Sequence, residues 1–160
     1  MSVGGALVGG AAGTLVMTTM LRGASELRLT RMDLPFLLGT AVTEDRERAK
    51  VVGYALHALF GLAFALAYWL IFSTIDESGW WLGALFGALH GTFAATTLVN
   101  VLLPVVHPRM ATSLTAADSS PLLEPPGFLM LNYGRSTPVV TVAAHVVYGT
   151  IVGGFVSLAS

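Results

Sequence analysis

Apolar residues run along this chain in long, nearly uncharged blocks, without the period of a soluble amphipathic helix or the alternation of a strand. Four blocks stand out: Val3 to Leu21, Val51 to Phe72, Trp80 to Leu103 and Pro138 to Leu158. Each approaches the ~20 residues a helix needs to cross a hydrocarbon core of about 30 Å. Lipid offers no partner to backbone N–H and C=O groups, and the blocks lack the dyad pattern of barrel strands, so the pattern predicts helices. The expected fold is all-α: an integral membrane four-helix bundle forming a single transmembrane domain over residues 1–160. The first block has no positively charged leader and its sequence recurs later in the chain, so it is read as a structural helix, not a cleaved signal peptide.

That recurrence extends from Gly5 to Met32, which align without a gap on Gly83 to Met110. Gly5, Ala6, Leu7, Gly9, Gly13, Thr14, Thr18, Thr19, Arg31 and Met32 meet identical residues in the second copy. In the following blocks, Val51, Val52, Ala55, His57 and Gly61 meet Val139, Val140, Ala143, His145 and Gly149. The chain therefore reads as a helical hairpin written twice, residues 1–73 and 79–160. Helices one and three would cross in the same direction, a parallel repeat with a pseudo-two-fold axis along the membrane normal. His57 and His145 then lie at equal depth. His90, opposite Ala12, has no counterpart and is expected roughly 10 Å farther out by helical rise.

Charge adds orientation. All basic residues (Arg22, Arg28, Arg31, Arg46, Arg48, Lys50, Arg109 and Arg135) fall in or beside the loops joining helix one to two and helix three to four, whereas "STIDESG" between helices two and three carries only acids. The positive-inside rule makes both long loops cytoplasmic and both termini external. In the first loop, Thr43 followed by Glu44 and Asp45 predicts that the second helix starts near residue 44. Ser136 or Thr137 before Pro138 predicts the start of the fourth. The short apolar runs Leu34 to Leu38 and Phe128 to Leu131 cannot span, and are expected in the interface or under the bundle.

Composition excludes several classes of chemistry. Without cysteine there are no disulfides, thiolate metal sites or cysteine nucleophiles. Eight bases against nine acids leave no nucleic-acid footprint. No metalloprotease helix, nucleophile elbow, phosphate loop or dinucleotide fingerprint is present, so an enzyme is not the favoured class. The four-residue glycine spacings (Gly5, Gly9, Gly13; Gly83, Gly87, Gly91) allow close helix approach, within the chain or toward a second copy or membrane partner.

What remains is the polar content of the spans: His57, His90, His145, Arg22 and Asn100. Ionisable groups in a membrane are costly and mark function by default. One such histidine is most simply a neutral core residue bonded to a carbonyl; three, two of them related by the repeat, favour a site. Arg22 and Asn100 occupy matching positions near the cytoplasmic boundary and are candidate accessory ligands, with a pairing of Arg22 to Glu26 as the plain alternative. His107, in "VVHPRM", reads as a solvated loop residue.

The succession "HALFGLAFALAYWL", "GALFGALHG" and "VAAHVVYG" resembles small bacterial inner-membrane proteins of the YagU type. The resemblance covers helices two to four and implies histidines at 57, 90 and 145 inside apolar helices, while the loops "TRMDLPFLLGT" and "EPPGFLMLNYGR" depart from that type. The leading expectation is a membrane protein in which His57 and His145, with Arg22 and Asn100 nearby, hold haem b, or His57, His145 and His90 hold a divalent metal. The alternatives are a proton-linked channel or transporter relaying through His90, and a non-catalytic accessory subunit docked by its glycine faces.

Overall fold

A computed structural model describes residues 1–111 and 123–159. Among these residues the chain is helical, apart from one isolated bridge between Met110 and Leu123. The long elements are α1 (Val3–Glu26), α3 (Arg46–Ile75), a rod built of α4 (Trp80–Phe93), a π-helical segment (Ala94–Leu102) and α5 (Leu103–Val106), and α6 (Thr137–Leu158). All four are long and apolar enough to cross a membrane. Outward-facing Leu15, Val51 and Val139 are exposed along them, a surface suited to hydrocarbon and not to water. Two shorter elements, α2 (Leu34–Thr40) and a 3-10 segment (Phe128–Tyr133), lie in the two long loops.

Short-range chemistry sets the helix starts. Ser2 accepts from the Gly5 N–H, and Asp33 accepts from Phe36 with Pro35 in the first turn, where its missing N–H is harmless. For α3 the cap is Asp45, whose carboxylate accepts from the Arg48 N–H at 2.8 Å, so the helix begins at Arg46. Thr43 instead receives the Asp45 N–H at 3.3 Å, forming the turn before the cap. The expected Thr43 cap was thus displaced by two residues, because aspartate at the later position competes for the same orphan donors. Ser136 is the N-cap residue of α6, but its side chain makes no capping bond.

The helices do not close symmetrically. α1 packs against both α3 and α6, and α4 packs against α6, but the backbones of α3 and α4 stay apart although only a short turn joins them. Under the expected two-fold axis, α3 against α4 would be the counterpart of α6 against α1. Among the four long elements, α4 and α6 form a close backbone seam. A Cβ at Gly83 would overlap the Gly149 carbonyl oxygen, and one at Gly87 the His145 carbonyl oxygen. The glycine faces expected to receive a partner are therefore covered by helices of the same chain, with Gly5 and Gly9 likewise against α6.

The rod also departs from α1, the segment it matches in sequence. Thr92, Thr96 and Thr97 correspond to Thr14, Thr18 and Thr19, and back-bonding to the preceding turn occurs in both copies: Thr96 to the Thr92 carbonyl at 2.7 Å, Thr18 to that of Thr14 at 2.6 Å. Yet α1 stays α-helical. Among the positions that differ is Pro104, opposite Glu26, which removes a backbone donor and crowds the preceding turn. The ladder widens just before it, so that Leu103 donates to the Leu98 carbonyl, five residues back.

At the end of the bundle where the long loops lie, the two short elements form a cap. The Arg31 N–H donates to the Tyr133 carbonyl at 2.7 Å, and the hydroxyls of Thr30 and Thr137 meet at 2.8 Å in a buried contact. Tyr133 donates its hydroxyl to the Glu124 carbonyl, and burial, with Glu124 nearby, pushes its phenol up to about 12. Met130 is fully buried whereas Phe128 points outward, so the second apolar run is only half packed under the bundle.

Candidate ligand cavity

Where the backbones of α3 and the rod stay apart, the chain leaves a cavity of about 400 Å³, within the size range of small-molecule sites. Phe60 and Phe64 of α3 form one flank; Ala94, Leu98 and Leu102 of the π-helical segment form the other. Leu34, Leu38 and Val42, from α2 and the residues after it, supply the floor. The back wall carries His57, His90, His145, Thr141 and Tyr148. None of the described residues lining the cavity is Asp, Glu, Lys or Arg.

Toward the short-turn end the cavity stops at packed rings. Tyr68, Phe72 and Phe86 stand with centroids 5.4–6.0 Å apart, and Phe72 is fully buried. The opposite end is closed by α2. A few fixed bonds hold the polar side chains of this wall. His145 Nδ1 lies 2.8 Å from the Thr141 carbonyl and donates to it, leaving Nε2 with a lone pair. His90 Nδ1 lies 3.3 Å from the Tyr68 hydroxyl. Tyr148 donates to the Gly61 carbonyl, tying α6 to α3. Among the described residues, His57 Nε2 and Thr141 Oγ1 are buried and have no hydrogen-bond partner.

The expected depth of His90 is corrected. Its ring lies 4.7 Å from that of His145, centroid to centroid, and 4.0 Å from Phe64. The two helix ends assumed to be level are not. From the contact of Gly91 with Val142, α6 begins only five residues away at Thr137, while the rod continues fifteen residues to Val106. His90 consequently sits beside His145, not a turn or two beyond it.

Arg22 and Asn100 are not brought to the histidines. Arg22 bonds Glu26 and the Tyr54 hydroxyl, each at 3.3 Å, in a separate cleft on the outside of α1 and α3. Asn100 faces another depression, beside Pro104 and Pro126. They matched in sequence, but the π-helical segment turns its face relative to α1. Nor do the three histidines form a metal cluster: no group of three or more His, Asp or Glu able to hold a metal occurs among the described residues.

His107 was misjudged most. It is only 4% exposed. The Arg109 N–H donates to its Nδ1 at 3.2 Å, so Nε2 carries the proton and donates to the Leu37 carbonyl at 3.0 Å, with Thr40 Oγ1 at 3.3 Å. Arg109 adds bonds to the Thr40 carbonyl and, at 3.3 Å, to Glu44. These contacts fasten α2 to the end of the rod and hold the cavity floor in place. The sequence signal was available in "HPR", since a histidine just past a helix end can bond a neighbouring carbonyl; its partner 70 residues away was not.

Comparison with family models, curated proteins and solved structures finds no match, so the chemistry of the cavity is argued from its own residues.

Proposed function

We propose that this chain is a small polytopic protein of the bacterial inner membrane that binds a ligand without converting it, taking a largely apolar, uncharged molecule into the cavity and fixing its polar head on the histidine wall. The observation that carries the proposal is the pair of unpartnered buried groups, His57 Nε2 and Thr141 Oγ1, in an otherwise apolar cavity. A buried polar group without a partner costs about 1–3 kcal/mol, which a bound head would recover. Haem b is the iron-containing alternative, with the Nε2 atoms of His57 and His145 as donors to iron and its two propionates held outside the uncharged lining. A bare divalent ion is disfavoured, because no carboxylate lines the cavity to balance its charge.

The alternatives have less support. A proton path through His90 would have to cross the packed rings of Tyr68, Phe72 and Phe86. An accessory subunit docked by glycine faces would need faces that are already covered. The proposal includes an origin by duplication of a helical hairpin, with the cavity where the second half lost symmetry, and an orientation with both termini outside.

Orientation is checked by reporter fusions. A reporter after Ser160 is expected to work only outside the cytoplasm, and one near Ala117, outside the described residues, only inside; the reverse pattern would invert the topology. Binding is checked on the full chain purified in mild detergent, by visible absorption and by mass spectrometry of its organic extract. The expected result is a stoichiometric ligand, with a Soret band if it is haem. A preparation that yields no ligand and takes up none on titration would leave the histidines as core residues.

A further inference from the structure

The way into the cavity is from the side. Phe60, Leu102 and Val106 stand at its flanks and are themselves exposed on the outer surface of the bundle, between two helices whose backbones do not touch. A ligand using this mouth moves directly from hydrocarbon to the histidine wall and leaves any long tail in the bilayer. No charge meets it on the way, because none of the described lining residues is ionic. An acyl carboxylate or a phosphate head would lack a counter-ion there.

At the inner end, what is missing is specific. The Thr141 hydroxyl, 98% buried as part of its residue, has no acceptor, and the unpartnered Nε2 of His57 stands on the same wall. The Thr141 carbonyl is already taken by His145 Nδ1, so the hydroxyl is the group of that residue still free to donate. Carbonyl oxygens suit both groups, since each can accept from a hydroxyl or from an imidazole N–H. Around them stand rings: Phe64, His90, His145 and Tyr148, with Phe64 and His90 in tilted contact. Ring faces and edges favour a flat conjugated head over a flexible one.

Resting on the ligand-binding proposal above, we infer that the occupant is a lipid quinone: a flat, uncharged ring bearing carbonyls, held by Thr141 and His57, with its isoprenoid tail leaving between α3 and the π-helical segment. The Pro104-widened segment is then what holds the mouth open, and α2 is the floor beneath the ring. Binding alone is inferred, with no electron transfer.

The test is titration of the full chain in lipid nanodiscs with decylubiquinone, and in parallel with decylbenzene and with haem. Saturable binding of decylubiquinone is expected, with decylbenzene at least tenfold weaker. Thr141→Val, which keeps the side chain's shape but removes the hydroxyl, should weaken decylubiquinone roughly tenfold, as should His57→Ala. Leu102→Trp, at an exposed position on the mouth, should block binding while thermal stability is kept; it serves as the informative variant if His57→Ala fails to fold. Saturable haem binding with none of decylubiquinone would overturn the quinone and leave the histidine cavity a ligand site. Equal binding of decylbenzene, or an unchanged affinity in Thr141→Val, would also overturn it. Saturation by none of the three would sink both proposals.

Discussion

Gly87→Leu is expected to destroy the native bundle, lowering stability by about 3 kcal/mol or more, because a side chain there must displace backbone and not merely a flexible neighbour. A Cβ at Gly87 would overlap the His145 carbonyl oxygen and lie 2.8 Å from the Val146 Cα. α6 would have to move away from α4, and His145, on the same turn, would leave the cavity wall. The effect should be graded. At Gly9 the nearest atoms to a Cβ are the Phe155 Cβ at 2.9 Å and the Val152 Cα at 3.1 Å, so Gly9→Leu should be destabilising but milder. Gly154 has nothing within 4 Å, and Gly154→Leu should change stability by less than about 0.5 kcal/mol. Thermal unfolding in detergent, followed by circular dichroism and by elution size, measures the series. Equal midpoints for all three variants would contradict the close approach of α4 and α6.

His107→Ala should act locally and strongly. The substitution leaves the Leu37 carbonyl and the Arg109 N–H without their buried partner and removes a packed ring, a loss of about 2–3 kcal/mol. Because those bonds fasten α2, the loss should appear first as faster amide hydrogen exchange over residues 34–43, before any change in the spanning helices. With Leu34, Leu38 and Val42 forming the cavity floor, ligand release should also quicken. His107→Gln, whose amide keeps a donor near the position of Nε2, should restore part of the protection. Unchanged exchange in α2 after His107→Ala would show that the cap is held instead by Arg109 and by the close approach of α2 to α3, where Gly39 meets the Ala49 carbonyl and Gly53 the Pro35 carbonyl.

These two variants mark where sequence and tertiary structure divide the information. The four spanning helices follow from the blocks themselves, since a run without charge that must pair its own backbone has one conformation available in lipid. The glycine spacing in "GALFGALHG" was likewise legible as a close-approach face, because spacing on a helix fixes a face. Which helix met that face was not, and it proved to be α6 of the same chain. The repeat pattern pointed to a symmetric bundle with paired His57 and His145, but the later of the two matched helices widens ahead of a proline without a counterpart, and the backbones of α3 and α4 did not close on one another as those of α1 and α6 did. Depth failed for a similar reason: counting from helix ends presumes that they are level, and the rod runs well past the start of α6, which brings His90 against His145. His107 shows the limit most plainly. Its surroundings in sequence are a loop, while its hydrogen bonds reach across to α2, and such contacts come into being only when the loops fold back on the bundle. The composition of the spans determined what kind of solvent this chain requires; the packing of those spans against one another decided where a cavity would be left and which polar atoms beside it would be buried without a partner.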